Sequence, residues 1–235
     1  VNLGVILPSF STSAQDAFDA ADAAESGGLH GVFVFDHLWP LGEPGRPAMS
    51  PFPLLGAIGA RTHTIAIGTL VARVGLVTDA ALVSEFLTLD ALSAGRVIAG
   101  VGVGDARSAA ENVAFGLPVD PPSERRRSLS GVIAELRRAG ITTWVGGGNR
   151  ATNAVARAHG ATLNLWGVGP ETVARASQEG PVTWAGVLPK DPHRAAGHLE
   201  LLRGAGATWT VVLCQGPIGG LIEIAKDAGV ELVGG

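Results

Sequence analysis

The stretch ITTWVGGGNRATNAVARAHGATLNLW (141–166) contains one complete repeat of the fold. ITTWV is a run of strand-forming residues that enters three glycines. Asn149 follows, a residue whose side chain caps helices well. Ala151, Ala154, Val155 and Ala158 recur at helical spacing and read as one apolar stripe. Gly160 then stands where a helix end wants a left-handed residue, and ATLNLW (161–166) is a second apolar run. A helix between two apolar strands is the crossover unit that joins parallel strands.

The same unit recurs in both directions. Candidate strands are LGVILP (3–8), GVFVF (31–35), TIAIGTLV (64–71), RVIAGVGV (96–103), ITTWVGG (141–147), ATLNLW (161–166), PVTWAGVL (181–188) and ATWTVVL (207–213). They read as continuous apolar runs, as parallel strands covered on both faces do. Ala14, Ala17, Phe18, Ala21 and Ala24 stripe the first helix. Gly169 and Asp191 stand at N-caps, with Pro170 and Pro192 at the first helical position. Gly27, Gly140, Gly180, Gly204 and Gly229 follow helices as Gly160 does. Eight units of about 29 residues fit a (β/α)8 TIM barrel, here a single domain over 1–235. The rival is a doubly wound open sheet, which rarely needs eight regular units.

Composition narrows the function classes. Apolar residues are 46% of the chain and charged ones 16%, enough for a large core. A net charge of −4 gives no general attraction to nucleic acid or an anionic membrane. Cys214 is the one cysteine, so an intrachain disulfide is impossible and a cytoplasmic setting is expected. VNLGVILPSF lacks the basic start and long apolar run of a signal peptide. No apolar run reaches the about 18–20 residues that span a bilayer.

In a barrel the chemistry sits where strands end and the next loops begin. The second strand ends in Asp36 and His37, followed by Trp39. Histidine titrates near neutrality and can exchange a proton, while the bland reading is a capping Asp beside a packed His. The fourth strand ends in GVGVGD (100–105), where Gly104 permits close approach of a ligand and Asp105 offers a carboxylate or a turn cap. The fifth ends in Gly146, Gly147, Gly148 and Asn149, and a helix start with open amides is a ready phosphate site. The alternative there is a plain turn. Cys214 reads as a small core residue, His159 as a partner of its own helix carbonyls, and His193 and His198 as lying on a polar face. Ser123, Glu124 and Arg125–Arg127 read as the start of a solvated helix, with an anionic tail as the other partner these arginines could meet. No cluster has metal-ligand spacing, so no metal is expected. A nicotinamide-binding Rossmann enzyme would need a glycine fingerprint at the first strand, and LGVILPSFSTS has none.

Three blocks carry a resemblance: DHLW (36–39); IGTLVARVGLVTDAALVSEFLTLDALSAGRVIAGVGVGD (67–105) with ENVAFGLP (111–118); and WVGGGNRATNAVARAHGATLNLWG (144–167). Together they resemble the bacterial luciferase-like flavin- and deazaflavin-dependent oxidoreductases, most closely the branch using coenzyme F420. The resemblance implies that His37 assists hydride and proton transfer, Asp105 matches an acidic helper, and Asp36 touches the coenzyme head. It implies a cis peptide bond at Leu70–Val71 that supports the coenzyme ring. It places the coenzyme phosphate at Gly146 and Gly147, and Trp39 near a substrate-pocket tryptophan, at a different spacing from the histidine. A homodimer acting on a small molecule is implied as well. One departure is visible: ELRRAGITTWVGG (135–147) runs directly from the fourth helix into the fifth strand, where relatives carry a few tens of residues more. Three functions follow: an F420-dependent oxidoreductase, an FMN-dependent monooxygenase, or a shortened non-catalytic flavin-binding relative.

Overall fold

The computed structural model describes residues 1–40 and 42–234. Its strands are β1 (Asn2–Ile6), β2 (Gly31–Val34), β3 (Ala66–Thr69), β4 (Ala72–Arg73), β5 (Val97–Gly102), β6 (Thr142–Gly146), β7 (Thr162–Trp166), β8 (Val182–Gly186) and β9 (Ala207–Leu213). Its helices are α1 (Gln15–Ser26), α2 (Pro51–Arg61), α3 (Asp79–Leu92), α4 (Ser108–Ala114), α5 (Pro122–Arg138), α6 (Arg150–Ala158), α7 (Pro170–Ser177), α8 (Pro192–Gly204) and α9 (Ile218–Asp227).

Every strand pairing is parallel. β1 lies between β2 and β9, and β3 pairs with both β2 and β5. The sheet therefore closes on itself and has no edges, which excludes the doubly wound alternative. β3 and β4 are halves of one barrel strand: Ile67 pairs with Val97 and Ala72 with Val101 on the same neighbour. The peptide bond between the halves, Leu70–Val71, is cis, as the resemblance implied. Eight barrel strands result, each at the position expected from its apolar run.

Alternate residues of each strand point inward. Phe33, Trp144 and Trp209 fill the interior, with ring centroids 5.1 Å apart for Phe33–Trp144 and 5.4 Å for Trp144–Trp209. Glycines make the room. A Cβ on Gly4 would come within 2.8 Å of the Phe33 ring, and one on Gly31 within 2.9 Å of Trp209. Ile6, Leu70, Ile98, Ala185 and Val211 complete this layer. Each large side chain so buried contributes roughly 1.5–3 kcal/mol. The outward residues, such as Val5, Val32, Ile67, Val101 and Val145, pack under the helices.

Several local expectations need correction. On α6 the buried residues are Thr152 and Ala156, while Ala151, Ala154 and Ala158 are exposed. Alanine is small enough for either face, so its spacing is a poor compass. The left-handed residues after α1 and α8 are Gly28 and Gly206, not Gly27 and Gly204, because each helix runs further than its apolar stripe. His159 shares a hydrogen bond with Ser130 Oγ at 2.7 Å on α5 instead of meeting its own carbonyls. His198 is half-buried edge-on to Trp184, with burial lowering its pKa. Arg125 is half-buried and donates to the Val103 carbonyl, so the start of α5 is not wholly solvated. Asn149 and Asp191 cap as expected, accepting from the Thr152 and Arg194 amides. Between α5 and β6 lie only residues 139–141.

Candidate active site

The C-terminal ends of β2 and β4 bring Asp36, His37 and Arg73 together, and α4 adds Glu111 from the side. Glu111 is fully buried and Arg73 is 5% exposed. Arg73 Nη2 donates to Glu111 Oε2 at 3.0 Å, and the Leu38 amide donates to the same oxygen at 2.8 Å. The other oxygen, Oε1, lies 2.8 Å from His37 Nδ1. Asp36 is tied in from the opposite side: its Oδ2 accepts from the Arg73 amide and its carbonyl from Arg73 Nε, both at 2.8 Å. Burial raises the Asp36 carboxyl against the lowering pull of the Arg73 amide and of the Arg73 and His37 charges. The inward face of α4 is polar, made of Ser108 and Glu111, and it is this face that holds the cluster.

An aromatic wall flanks the imidazole. Phe35 packs against His37 at 6.2 Å between centroids and against Trp166 at 5.7 Å. Phe10 stacks on the other side of Phe35. A cavity of about 360 Å³ opens beside His37, lined by Asp36, Leu38, Trp39, Arg46, Pro47 and Phe115 among others. Trp39 and Phe115 form its apolar wall, 5.7 Å apart. Arg46, at its lip, is half-exposed and pairs with Glu43 at 3.0 Å.

Of the residues expected from sequence, Asp36, His37 and Trp39 meet at this cavity. Gly104, Asp105, Leu70, Val71 and 146–149 lie outside its lining. Asp105 instead holds the start of α4: its Oδ1 accepts from the Ser108 amide at 2.9 Å and from Ser108 Oγ at 3.0 Å. Burial raises that carboxyl, but the Ser108 bonds, the Arg107 amide and the Arg107 charge outweigh it and leave the pKa below the usual range. Gly104 is left-handed, at φ +67°, where a side chain would be strained.

The glycine run that ends and follows β6 divides. A Cβ on Gly146 would meet Val71 at 3.0 Å, and one on Gly147 would meet Leu163 at 2.7 Å. Both glycines therefore have packing reasons to be small. Gly148 alone faces open space. Asn149 Oδ1 caps Thr152, and Thr152 Oγ1 is buried without a partner in the first turn of α6.

Sequence reasoning missed Glu111, Arg73, Phe35 and Trp166. Arg73 carried a signal, a cation at the end of an otherwise apolar strand. Glu111 carried a fainter one, three residues after Ser108 on a short helix.

A model of the luciferase-like monooxygenase family matches residues 2–208. The chain belongs to that family. Among curated relatives, this family member is 39% identical over 88 residues to the F420-dependent glucose-6-phosphate dehydrogenase of Nakamurella multipartita, covering 37% of this chain and 26% of that protein. It is 35% identical over 120 residues to the enzyme of the same name from Microbacterium testaceum, covering 51% and 35%. The chain thus spans about a quarter to a third of the length of these relatives. Among solved structures, an F420-dependent secondary alcohol dehydrogenase in complex with an F420–acetone adduct superposes with a TM-score of 0.80 at 15% identity, covering 98% of this chain and 99% of that one. At that identity the likeness concerns the luciferase-like barrel itself. Among the described residues no helix is long and apolar enough to cross a membrane.

Proposed function

We propose that this chain is an oxidoreductase that uses the deazaflavin coenzyme F420 and transfers a hydride between it and a small organic substrate. The observation that carries the reading is His37: an imidazole at the barrel mouth, 21% exposed, anchored through Nδ1 and bordering a 360 Å³ cavity. The curated relatives are F420-dependent dehydrogenases, which supports this choice of coenzyme.

The residues fit such a group. Amides in the first turn of a helix have no partner within it, and at α6 they stand beside the open Gly148 and the orphaned Thr152 hydroxyl. This end would hold the phosphate, with Gly146 and Gly147 shaping the loop and Asn149 capping it. The backbone of Leu70–Val71 and Gly104 would support the ring, and Asp36 would contact its head. When bound, F420 supplies a two-electron carrier that accepts or returns a hydride. His37 handles the proton: Nε2 accepts it as a hydroxyl becomes a carbonyl and gives it back in reverse. Trp39 and Phe115 hold the apolar part of the substrate. The active assembly would be a homodimer.

A spectral titration tests the reading. Micromolar binding of F420 and weak binding of FMN is expected. FMN binding in its place would favour the monooxygenase reading, which the family description supports. Binding of neither at micromolar concentration would overturn both and leave the shortened non-catalytic relative.

A further inference from the structure

We infer that Glu111, clamped by Arg73, is the positioning residue of His37: it fixes the imidazole with the proton on Nδ1, so that Nε2 is the atom that exchanges a proton at the mouth. The inference rests on the oxidoreductase reading for its use, but its geometry stands without the coenzyme.

Glu111 Oε2 accepts two donors, the Leu38 amide and Arg73 Nη2. An arginine is always charged, and a carboxylate facing it inside the protein keeps its own charge or leaves the cation unpaired. An ionised carboxylate only accepts hydrogen bonds. The 2.8 Å contact between Oε1 and Nδ1 therefore requires a proton on Nδ1. A neutral imidazole has one N–H, so Nε2 carries the lone pair. The Leu38 amide bond holds the carboxylate against the residue next to His37, which fixes the ring relative to its own backbone. Phe35 closes one side of the ring. Little freedom remains except at Nε2.

The arrangement defines a proton step. With the coenzyme bound to take the hydride of an alcohol C–H, the O–H bond would break and its electron pair would become part of the C=O bond. That proton binds the Nε2 lone pair, and the resulting imidazolium lies against the Glu111 carboxylate. In the reverse direction the same proton returns to oxygen. Asp105, whose carboxylate is committed to Ser108, takes no part in holding the ring.

Nitrogen-15 NMR of the imidazoles in the coenzyme-free chain tests this directly. The His37 signals are assigned by their loss in His37→Gln. At neutral to alkaline pH the wild-type ring is expected as the Nδ1–H tautomer, in contrast to the Nε2–H form usual for exposed histidines. A predominant Nε2–H form in the wild type would overturn the inference, with no variant needed. Glu111→Gln should mix the tautomers and, in the F420-loaded protein, lower kcat about 100-fold with KM changed less than about threefold. An unchanged tautomer in a folded Glu111→Gln would also overturn it. If the tautomer is as expected and F420 does not bind, the positioning role stands and the coenzyme reading falls.

Discussion

Glu25 and Glu111 are two carboxylates at opposite ends of one barrel, and each gathers several donors. Glu25, at the end of α1, accepts from the amides of His63, Thr64 and Ile65 and from the Thr64 hydroxyl. All of these belong to one turn leading into β3. Glu111, on α4, accepts from the His37 imidazole and the Leu38 amide after β2 and from the Arg73 guanidinium on β4, so it joins three parts of the chain. The first ties a loop to a helix and exposes nothing reactive. The second spends a buried charge to hold a titratable ring at the mouth. The difference follows the division of labour in these barrels, with stability at the N-terminal face and chemistry at the C-terminal one.

The largest expected effect separates the two ends outright. His37→Ala should lower turnover by about 10²–10⁴-fold while F420 still binds, as followed by steady-state kinetics and spectral titration. Loss of coenzyme binding instead would make His37 a structural part of the cofactor site. Glu111→Ala strands the buried Arg73, and urea denaturation should register a loss of about 3–5 kcal/mol. A loss below about 1 kcal/mol would mean that the cluster is wetter than its burial implies.

Glu25→Gln should cost about 1–3 kcal/mol of stability at neutral pH and leave turnover unaltered. Burial alone would raise this carboxyl, but the Thr64, His63 and Ile65 amides and the Thr64 hydroxyl together bring it from 4.5 to about 2. Because the folded pKa is depressed, the charge contributes stability above about 4.5 and loses it as pH falls towards about 2. Wild-type stability should therefore drop more steeply than that of Glu25→Gln across this window, and parallel acid limbs would refute the assignment. The smallest effect is reserved for Asp105→Ala, which removes a helix-start bond worth about 1 kcal/mol and should leave kcat within about threefold. A drop of 10² would return Asp105 to the mechanism.

The frame was readable because parallel strands are buried on both faces and appear as unbroken apolar runs, as GVFVF and RVIAGVGV do. The barrel's closure followed from counting those runs. Finer features depended on partners distant in sequence. Glu111 lies 74 residues from His37 and 38 from Arg73, so the faint local signals at Arg73 and Glu111 do not show that the three meet. The three glycines that end and follow β6 look alike in the chain, yet Val71 and Leu163 on other strands give two of them a packing role. The alanines of α6 misled for the opposite reason, since a methyl group is tolerated on either side of a helix.

The packed rings of Phe33, Trp144 and Trp209 act as a floor beneath the mouth. A barrel plugged in this way is a dead end, with a single doorway for everything that binds. Whatever enters at the mouth must leave by the mouth.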